Sequence, residues 1–376
     1  MNGTKNIAIC CITYKRSRSL MRLLESLNNA VYDESTTLFI SVDKSDSDEV
    51  ELLADSFRWL HGPKRVIRHE TNLGLRKHIL SCGDLLNEFD GLIVLEDDIT
   101  VSPGFFMYAK QCVEKYSDVE DCAGISLYNF PICYHNSLPF TPIRTDSDVY
   151  MMECAQSWGQ VWMKKQWFEF KEWYESNHEE FGELPHLPKS ICLWPKTSWL
   201  KYHTRYCIEK SKFFIYPYVS LSTNNGDSGT HNKTNSTLFQ APLLEGVKTK
   251  YDLNPTIRYD GFFENMLLAD CLDVEADDLC VDLYGVKQNR ERKRYWLTTS
   301  QENFGIKKSF ALELKPWDAN ILHGREGSQI FLYDTDIECK NKFDRPVNKN
   351  RYLFSLRDNS IRMLLKELLS SWVLGR

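Results

Sequence analysis

The sequence contains no C-x-x-C pair: its 12 cysteines are scattered, with Cys10 and Cys11 in an apolar run and Cys82, Cys112, Cys122 and Cys133 without tight spacing. That pattern argues against a zinc site and reads as reduced, mostly buried thiols of a cytosolic protein. No run of about 18 apolar residues occurs, so no transmembrane helix is encoded. The first apolar stretch, residues 7–13, is too short for a signal peptide and is expected to enter the fold directly. In that setting the N-x-S/T sequons at Asn2, Asn232 and Asn235 carry little meaning. Positive charge is in deficit, with 46 Lys and Arg against 52 Asp and Glu and a net charge of −6. An acidic chain is a poor general binder of nucleic acid, although it can hold a phosphorylated ligand locally. Internal repeats and low-complexity tracts are absent.

What is present is apolar material and a clear period. A hydrophobic content of 42% over 376 residues supports one large domain or two smaller ones around a real core. Ten Trp and 18 Tyr suit a sugar-stacking surface and an aromatic-rich core equally. Over the first hundred residues short apolar runs alternate with helical patterns. Strands are predicted at 7–13, 37–43, 64–70 and 91–98, and helices at 18–30, 47–60 and 75–89. This alternation predicts an α/β fold, a mostly parallel sheet covered by helices on both faces. Ligands of such sheets bind beyond the carboxyl ends of the strands, where Thr13, Asp43 and Asp98 fall. Residues 128–148 carry three prolines and read as loop-rich. Trp158, Trp162, Trp167 and Trp173 follow, then a strand near 213 and a Gly/Asn/Ser loop to 235. Residues 251–376 read as a mixed C-terminal extension, with strands near "KKSFALEL" and "SQIFLYD" and a final amphipathic helix at 359–376.

The fourth strand poses a chemical problem. Leu92 to Leu95 run directly into Glu96, Asp97 and Asp98. Three adjacent acids repel one another, so positive charge has to sit among them. A hard divalent cation, Mg²⁺ or Mn²⁺, is one answer, because carboxylates can hold a diphosphate only through such an ion. The ion would stabilise the departing diphosphate as a Lewis acid. On an extended segment Glu96 and Asp98 face one way and Asp97 the other. Asp98 is then the candidate metal ligand. Glu96 and Asp97 are candidates to hold the donor ribose, the sugar or the metal's waters.

"VLEDDITVSPGFF" resembles the metal-binding D-x-D element of GT-A glycosyltransferases. It is especially similar to the E-D-D version of the N-acetylglucosaminyltransferase I type and of bacterial family 2-like sugar transferases. Three further segments match in order: "ITYKRSRSL" with Thr13, Tyr14 and Arg16; "FISVDKSD" with Asp43; and "ETNLGLRKHI" with Asn72, Gly74, Arg76 and Lys77. A fourth, "NNGDSGTHN", ends on His231. The resemblance covers roughly residues 7–235. It implies a nucleotide-sugar-binding half at 1–110, an acceptor-binding half of the same domain at 111–250, and an extension at 251–376. It implies that Thr13, Tyr14, Arg16 and Asp43 hold the nucleoside, that Lys77 and His231 meet the diphosphate, and that Asp98, with His231, holds the metal. The donor would be a nucleoside-diphosphate sugar, UDP foremost, and the acceptor a saccharide, free or lipid-linked, in surface polysaccharide assembly at the cytoplasmic face.

The match fails at one place. Similar enzymes carry an acid in "W-P-K-x-x-W-D", where this chain has "WPKTSWLKYH" with Leu200 and Lys201. Glu153 is the substitute candidate for the general base, with Asp146, Asp148 and Asp227 as rivals, and Trp158 a candidate for stacking on a sugar face. The last 18 residues are a candidate for peripheral membrane contact, with Leu and Trp inward and Arg and Lys at the rim, or for packing on protein. Two other functions compete. A sugar-nucleotidyltransferase would carry a glycine-rich loop after the first strand, which "TYKRSRSL" lacks. A non-catalytic nucleotide-sugar or carbohydrate binder would arise if the base has been lost.

Overall fold

In the computed structural model the described residues are 5–227, 236–287 and 293–343, together with Phe354, Leu365 and Leu369. They form two units, Met1–His135 with Arg144–Phe263, and Asn136–Ile143 with Glu264–Arg376. The second unit thus joins a short segment inserted in the first to the stretch from Glu264 onward.

The first unit opens with the alternation that the sequence predicts: β1 (Ile7–Thr13), α1 (Ser17–Asn28), β2 (Thr37–Val42), α2 (Glu49–Ser56), β3 (Lys64–Arg68), α3 (Gly74–Cys82) and β4 (Gly91–Glu96). A short 3₁₀ turn, Gly83–Asn87, links α3 to β4. Then come β5 (Ile99–Val101), α4 (Phe105–Tyr116), β6 (Cys122–Ser126) and β7 (Ile132–Cys133). The second unit's early segment holds β8 (Leu138–Pro139). The first unit resumes with β9 (Val149–Met152), β10 (Gln160–Met163), α5 (Lys164–Asn177), α6 (Lys189–Cys192), α7 (Leu200–Glu209), β11 (Phe213–Pro217), β12 (Ser222–Asn224) and β13 (Arg258–Tyr259).

Nine strands make one mixed sheet in the order β13-β9-β11-β6-β10-β4-β1-β2-β3. β4, β1, β2 and β3 are mutually parallel, as are β6 with β11 and β9 with β13. β10 is inserted antiparallel between β4 and β6, and β9 runs antiparallel to β11. All seven residues of β1 and the first five of β4 are buried, as expected of strands covered on both faces. Leu20, Leu23, Leu24 and Leu27 form the buried stripe of α1 at the i, i+3, i+4, i+7 spacing of an amphipathic helix.

The second unit carries α8 (Ala269–Leu272), β14 (Leu279–Asp282), β15 (Tyr295–Thr298), β16 (Phe304–Phe310), α9 (Trp317–Leu322) and β17 (Ile330–Glu338). Its four-stranded sheet has the order β14-β15-β17-β16. Tyr284 stacks on Trp317 at 4.9 Å, and Arg294 grips Asp334 through Nε (3.1 Å) and Nη2 (2.9 Å). Of the proposed membrane-contact helix, only Leu365 and Leu369 are among the described residues, and both are exposed. No helix among the described residues is long and apolar enough to cross a membrane. All 12 cysteines are free thiols and ten are buried.

Gly83 sets how closely α3 approaches α5. A Cβ there would lie 2.0 Å from the Trp167 ring, which itself stacks on Trp162 at 4.1 Å. The rings have no free space to move into. Gly83→Ala should therefore cost about 1–3 kcal/mol, read as a lower urea midpoint at unchanged m-value.

Candidate active site at the carboxyl ends of the parallel strands

Because β1, β2 and β4 are parallel, their C-terminal residues converge on one edge of the sheet. Ile12 stands opposite Glu96, and the Asp43 amide donates to the Thr13 carbonyl at 3.0 Å. This register sets Thr13 beside Asp97, and its Oγ1 donates to Asp97 Oδ2 at 2.9 Å. Arg16, on the residue preceding α1, reaches across both acids. Its Nη2 donates to Asp97 Oδ1 and its Nη1 to Asp98 Oδ2, the latter at 3.1 Å. The positive charge demanded by the acidic run is thus supplied within the chain.

The electrostatics follow from this arrangement. Burial works against the charge on Arg16, but Asp97 and Asp98 outweigh it and hold the guanidinium above its ordinary range. Burial raises the Asp97 carboxyl, opposed by Arg16 and Thr13. Burial, then the charges of Asp98 and Asp97, push the Glu96 carboxyl up to about 8. Two acids of the run are therefore paired with the single charge of Arg16, and the third is poised to stay protonated.

A cavity of about 600 Å³ opens over this cluster. Thr13, Tyr14, Arg16, Asp43, Glu96, Asp97 and Asp98 all line it, so seven of the sequence candidates meet in one place. Asp43 does so as a builder. Its Oδ1 accepts from the Leu73 and Lys44 amides at 2.8 and 2.9 Å, and its Oδ2 from Gly74 at 3.0 Å. Asn72, its side chain held by the Lys44 carbonyl at 2.9 Å, joins the same wall.

The opposite wall comes from the loop after β12. That strand pairs antiparallel with β5, and Asn225 donates to the Asp98 carbonyl from its backbone N (2.8 Å) and Nδ2 (2.9 Å). This pins the loop over the acids and places Asp227 on the cavity, where Ser19 donates to it at 2.7 Å and Arg22 forms an ion pair. Burial acts to raise the Asp227 carboxyl, but the bonds from Arg22 and Ser19 outweigh it and hold it below the usual range.

Two contributors to the site, one lining the cavity and one pinning its wall, carry no sequence signal. His78 faces the cavity from α3 with Nε2 2.7 Å from Ser41 Oγ; one helical histidine among apolar neighbours gives no sequence signal. Asn225 sits within a Gly/Asn loop, where asparagines recur because they fix backbone turns.

The remaining candidates lie elsewhere. Lys77 lines a separate cavity of about 470 Å³ on the far side of the Gly74–Leu75 wall. His231 lies outside the described residues. Trp158 is half-buried among Tyr128, Phe130 and Phe239, with ring centroids 4.8 to 6.3 Å away, and does not line the 600 Å³ cavity. Glu153 requires a correction. It follows β9, which runs opposite to β11, β6 and β4. The C-terminal end of β9 therefore lies toward the amino ends of those strands, away from the acids. Glu153 is buried there, its amide donating to the Tyr259 carbonyl at 3.0 Å, and it is not part of the cavity wall.

The acid missing from the "WPKTSW" segment has a structural replacement. Lys201 is 2% exposed and its Nζ donates to the carbonyls of Phe181 (3.2 Å), Cys192 (2.8 Å) and Trp194 (3.2 Å). It staples the α5–α7 connection.

A divalent cation is compatible with the cluster at one point. Asp98 Oδ1 is buried and has no partner among the described residues, which leaves an open, hard oxygen ligand. No group of three or more His, Cys, Asp or Glu among the described residues forms a complete cage, so a bound ligand would have to contribute the rest.

No family model matches the chain, and no curated protein matches it. Solved structures do. The chain is similar to GalNAc-T7 with UDP, GalNAc and Mn²⁺, at 11% identity over 58% of this chain and 43% of that one, with a TM-score of 0.39. It is similar to S. aureus TarS 1-349 in complex with UDP-GlcNAc, at 10% identity over 61% of each chain and a TM-score of 0.36. A third is the mannosyltransferase PcManGT from Pyrobaculum calidifontis in complex with GDP-Man and Mn²⁺, at 10% identity over 57% of each and a TM-score of 0.34. The chain thus spans between 43% and 61% of the length of these structures.

Removing the counter-ion tests the electrostatic account. Arg16→Met should destabilise the fold by about 3 kcal/mol, and Asp97→Asn in that background should recover part of the loss, both measured by urea unfolding. The Glu96 shift gives a pH signature. Between about 4.5 and about 8 the carboxyl is protonated when folded and ionised when unfolded. Its contribution to stability is complete below that window and is lost as pH rises through it. Glu96→Gln should flatten the decline of stability across that range.

Proposed function

We propose that the chain is a nucleotide-sugar glycosyltransferase of the GT-A type, of the subgroup with an E-D-D acidic run. Its donor is a nucleoside-diphosphate sugar, UDP foremost, and its acceptor a saccharide, free or lipid-linked, in surface polysaccharide assembly at the cytoplasmic side. The observation that carries this is the open Asp98 Oδ1 beside Arg16 on a single cavity beyond the carboxyl ends of β1, β2 and β4. Such an edge is where open α/β sheets receive nucleotides.

In this reading Tyr14 and Asn72 face the nucleoside, with Thr13 and Asp43 fixing the strand-end backbone around it. Arg16 offers its guanidinium to the diphosphate, since a planar fork pairs with phosphate oxygens as well as with carboxylates. Asp98, with His231, would hold Mn²⁺ or Mg²⁺. The ion, when bound, withdraws charge from the leaving diphosphate.

A second reading has its own observation. Arg22 holds Asp227 below the usual range, Glu96 is pushed up to about 8 next to Arg16-bound Asp97, and Lys201 stands where an acid was expected. A chain that binds a nucleotide sugar without transferring it would show this pattern.

One experiment addresses both. Calorimetry should detect UDP uptake that is at least tenfold tighter with Mn²⁺, and Asp98→Asn should abolish the metal-dependent part. Slow, Mn²⁺-dependent release of sugar from the donor in the absence of acceptor supports the transferase; binding without release supports the second reading. No Mn²⁺-assisted uptake of any nucleoside diphosphate would remove both.

A further inference from the structure

The 470 Å³ cavity adjoins the first one, and Gly74 and Leu75 line both. It lies between the start of α3, the end of α5 and the segment leading into α7. These all reach the same edge of the sheet, because α3 follows β3 while α5 and α7 lie between antiparallel β10 and parallel β11. Three cations converge on it: Arg76, Lys77 and Lys196. Arg76 is held in place by groups that leave its charge uncompensated. Its Nη1 donates to the Lys196 carbonyl (3.0 Å) and the Tyr202 hydroxyl (2.9 Å), and the guanidinium lies 4.9 Å from the Tyr202 ring. Among the described residues neither Arg76, Lys77 nor Lys196 forms an ion pair with a carboxylate. Two acids share the wall: Glu179, 3.7 Å from His178, and Glu180. In a chain of net charge −6, a fixed arginine with two free lysines is a local reversal of sign.

We propose that this cavity is the acceptor subsite and that it takes an anionic group, a carboxylate or phosphate carried on the acceptor saccharide. The proposal rests on the donor reading above, since a subsite for the acceptor has to open onto the place where the donor sugar sits. The shared Gly74–Leu75 wall meets that requirement. The pre-oriented fork of Arg76 supplies two-point recognition of a planar carboxylate or a phosphate, and the lysines add charge without fixing geometry. Leu73, Leu75 and Thr197 give the mixed apolar and hydroxyl surface that a pyranose ring requires.

Titration calorimetry on the full chain, with D-glucuronate, inorganic phosphate and D-glucose as probes, tests this with and without UDP and Mn²⁺. At least one of the two anions should bind about tenfold more tightly than glucose, and UDP should not displace it. Glucuronate alone binding identifies a carboxylate-bearing acceptor, phosphate alone a phosphorylated one. Lys196→Ala, at an exposed position, and Arg76→Lys, which keeps the charge and loses the fork, should each weaken the preferred anion at least threefold. The proposal is overturned by equal binding of glucose and both anions, by displacement of the anions by UDP, or by affinity unchanged in both variants. Failure of UDP to bind would overturn the donor reading instead, and is scored in the same titration independently of the anion arms.

Discussion

Arg16 between Asp97 and Asp98 is the interaction on which the rest of the site depends. Buried carboxylates persist as charges only where a partner and hydrogen bonds offset their lost hydration. Here that partner arrives through backbone register. β1 and β4 are parallel neighbours with Ile12 opposite Glu96, so the residues just beyond β1 lie beside those just beyond β4. Thr13 then reaches Asp97 without distortion, and Arg16, three residues on, can span two adjacent carboxylates. The same acids pin the opposite wall, because the Asp98 carbonyl accepts twice from Asn225. That contact carries Asp227 to Ser19 and Arg22 on α1. α1 is thus tied to the strand ends at its start and along its first turns, and the cavity floor and both sides share one network.

The acidic run was legible in the sequence as a demand for positive charge. What satisfies it was not. The chemistry of carboxylates and diphosphates points to a metal cation, whereas the basic residue that occupies the cluster lies 81 and 82 positions from the acids it pairs with. Pairing across such a separation is set by strand order, which a hydrophobic period does not encode. The first four strands and three helices were legible because each is a continuous apolar run or a 3.6-residue stripe bounded by polar turns. The predicted helix over 47–60 ends instead at Ser56. Trp59 leaves it to bury its ring, with Nε1 donating to the Thr36 carbonyl at 2.9 Å, a tertiary contact that overrides helix propensity.

Strand direction decides where Glu153 falls. The residue does end a strand, as Asp43 and the acidic run do. In a uniformly parallel sheet every strand end falls on the ligand edge, and Glu153 would have joined them. β9 is reversed with respect to its neighbour β11, so the same local pattern delivers its carboxylate to the opposite edge. The insertion of β10 against β4 is a second reversal, and it likewise leaves no mark on the local sequence, since all of Gln160 to Met163 are buried and show no alternation.

Asp43 shows how a residue can be correctly placed by sequence and still act by a different route. It was expected to meet the nucleoside directly. Both of its oxygens are instead occupied by backbone amides of the turn that starts α3. Gly74 in that turn has a φ of +72°, a conformation that favours glycine, and a strand-end carboxylate facing two amides is what holds it. The turn is the partition between the two cavities, with Gly74 and Leu75 exposed to each. Its rigidity fixes the separation between whatever binds over Asp98 and whatever binds against Arg76. In a reaction that joins two bound molecules, that separation sets how often the reacting atoms meet in a productive geometry. Asp43 thereby holds the turn through its backbone amides, with Gly83 packed against Trp167 at the far end of the same helix.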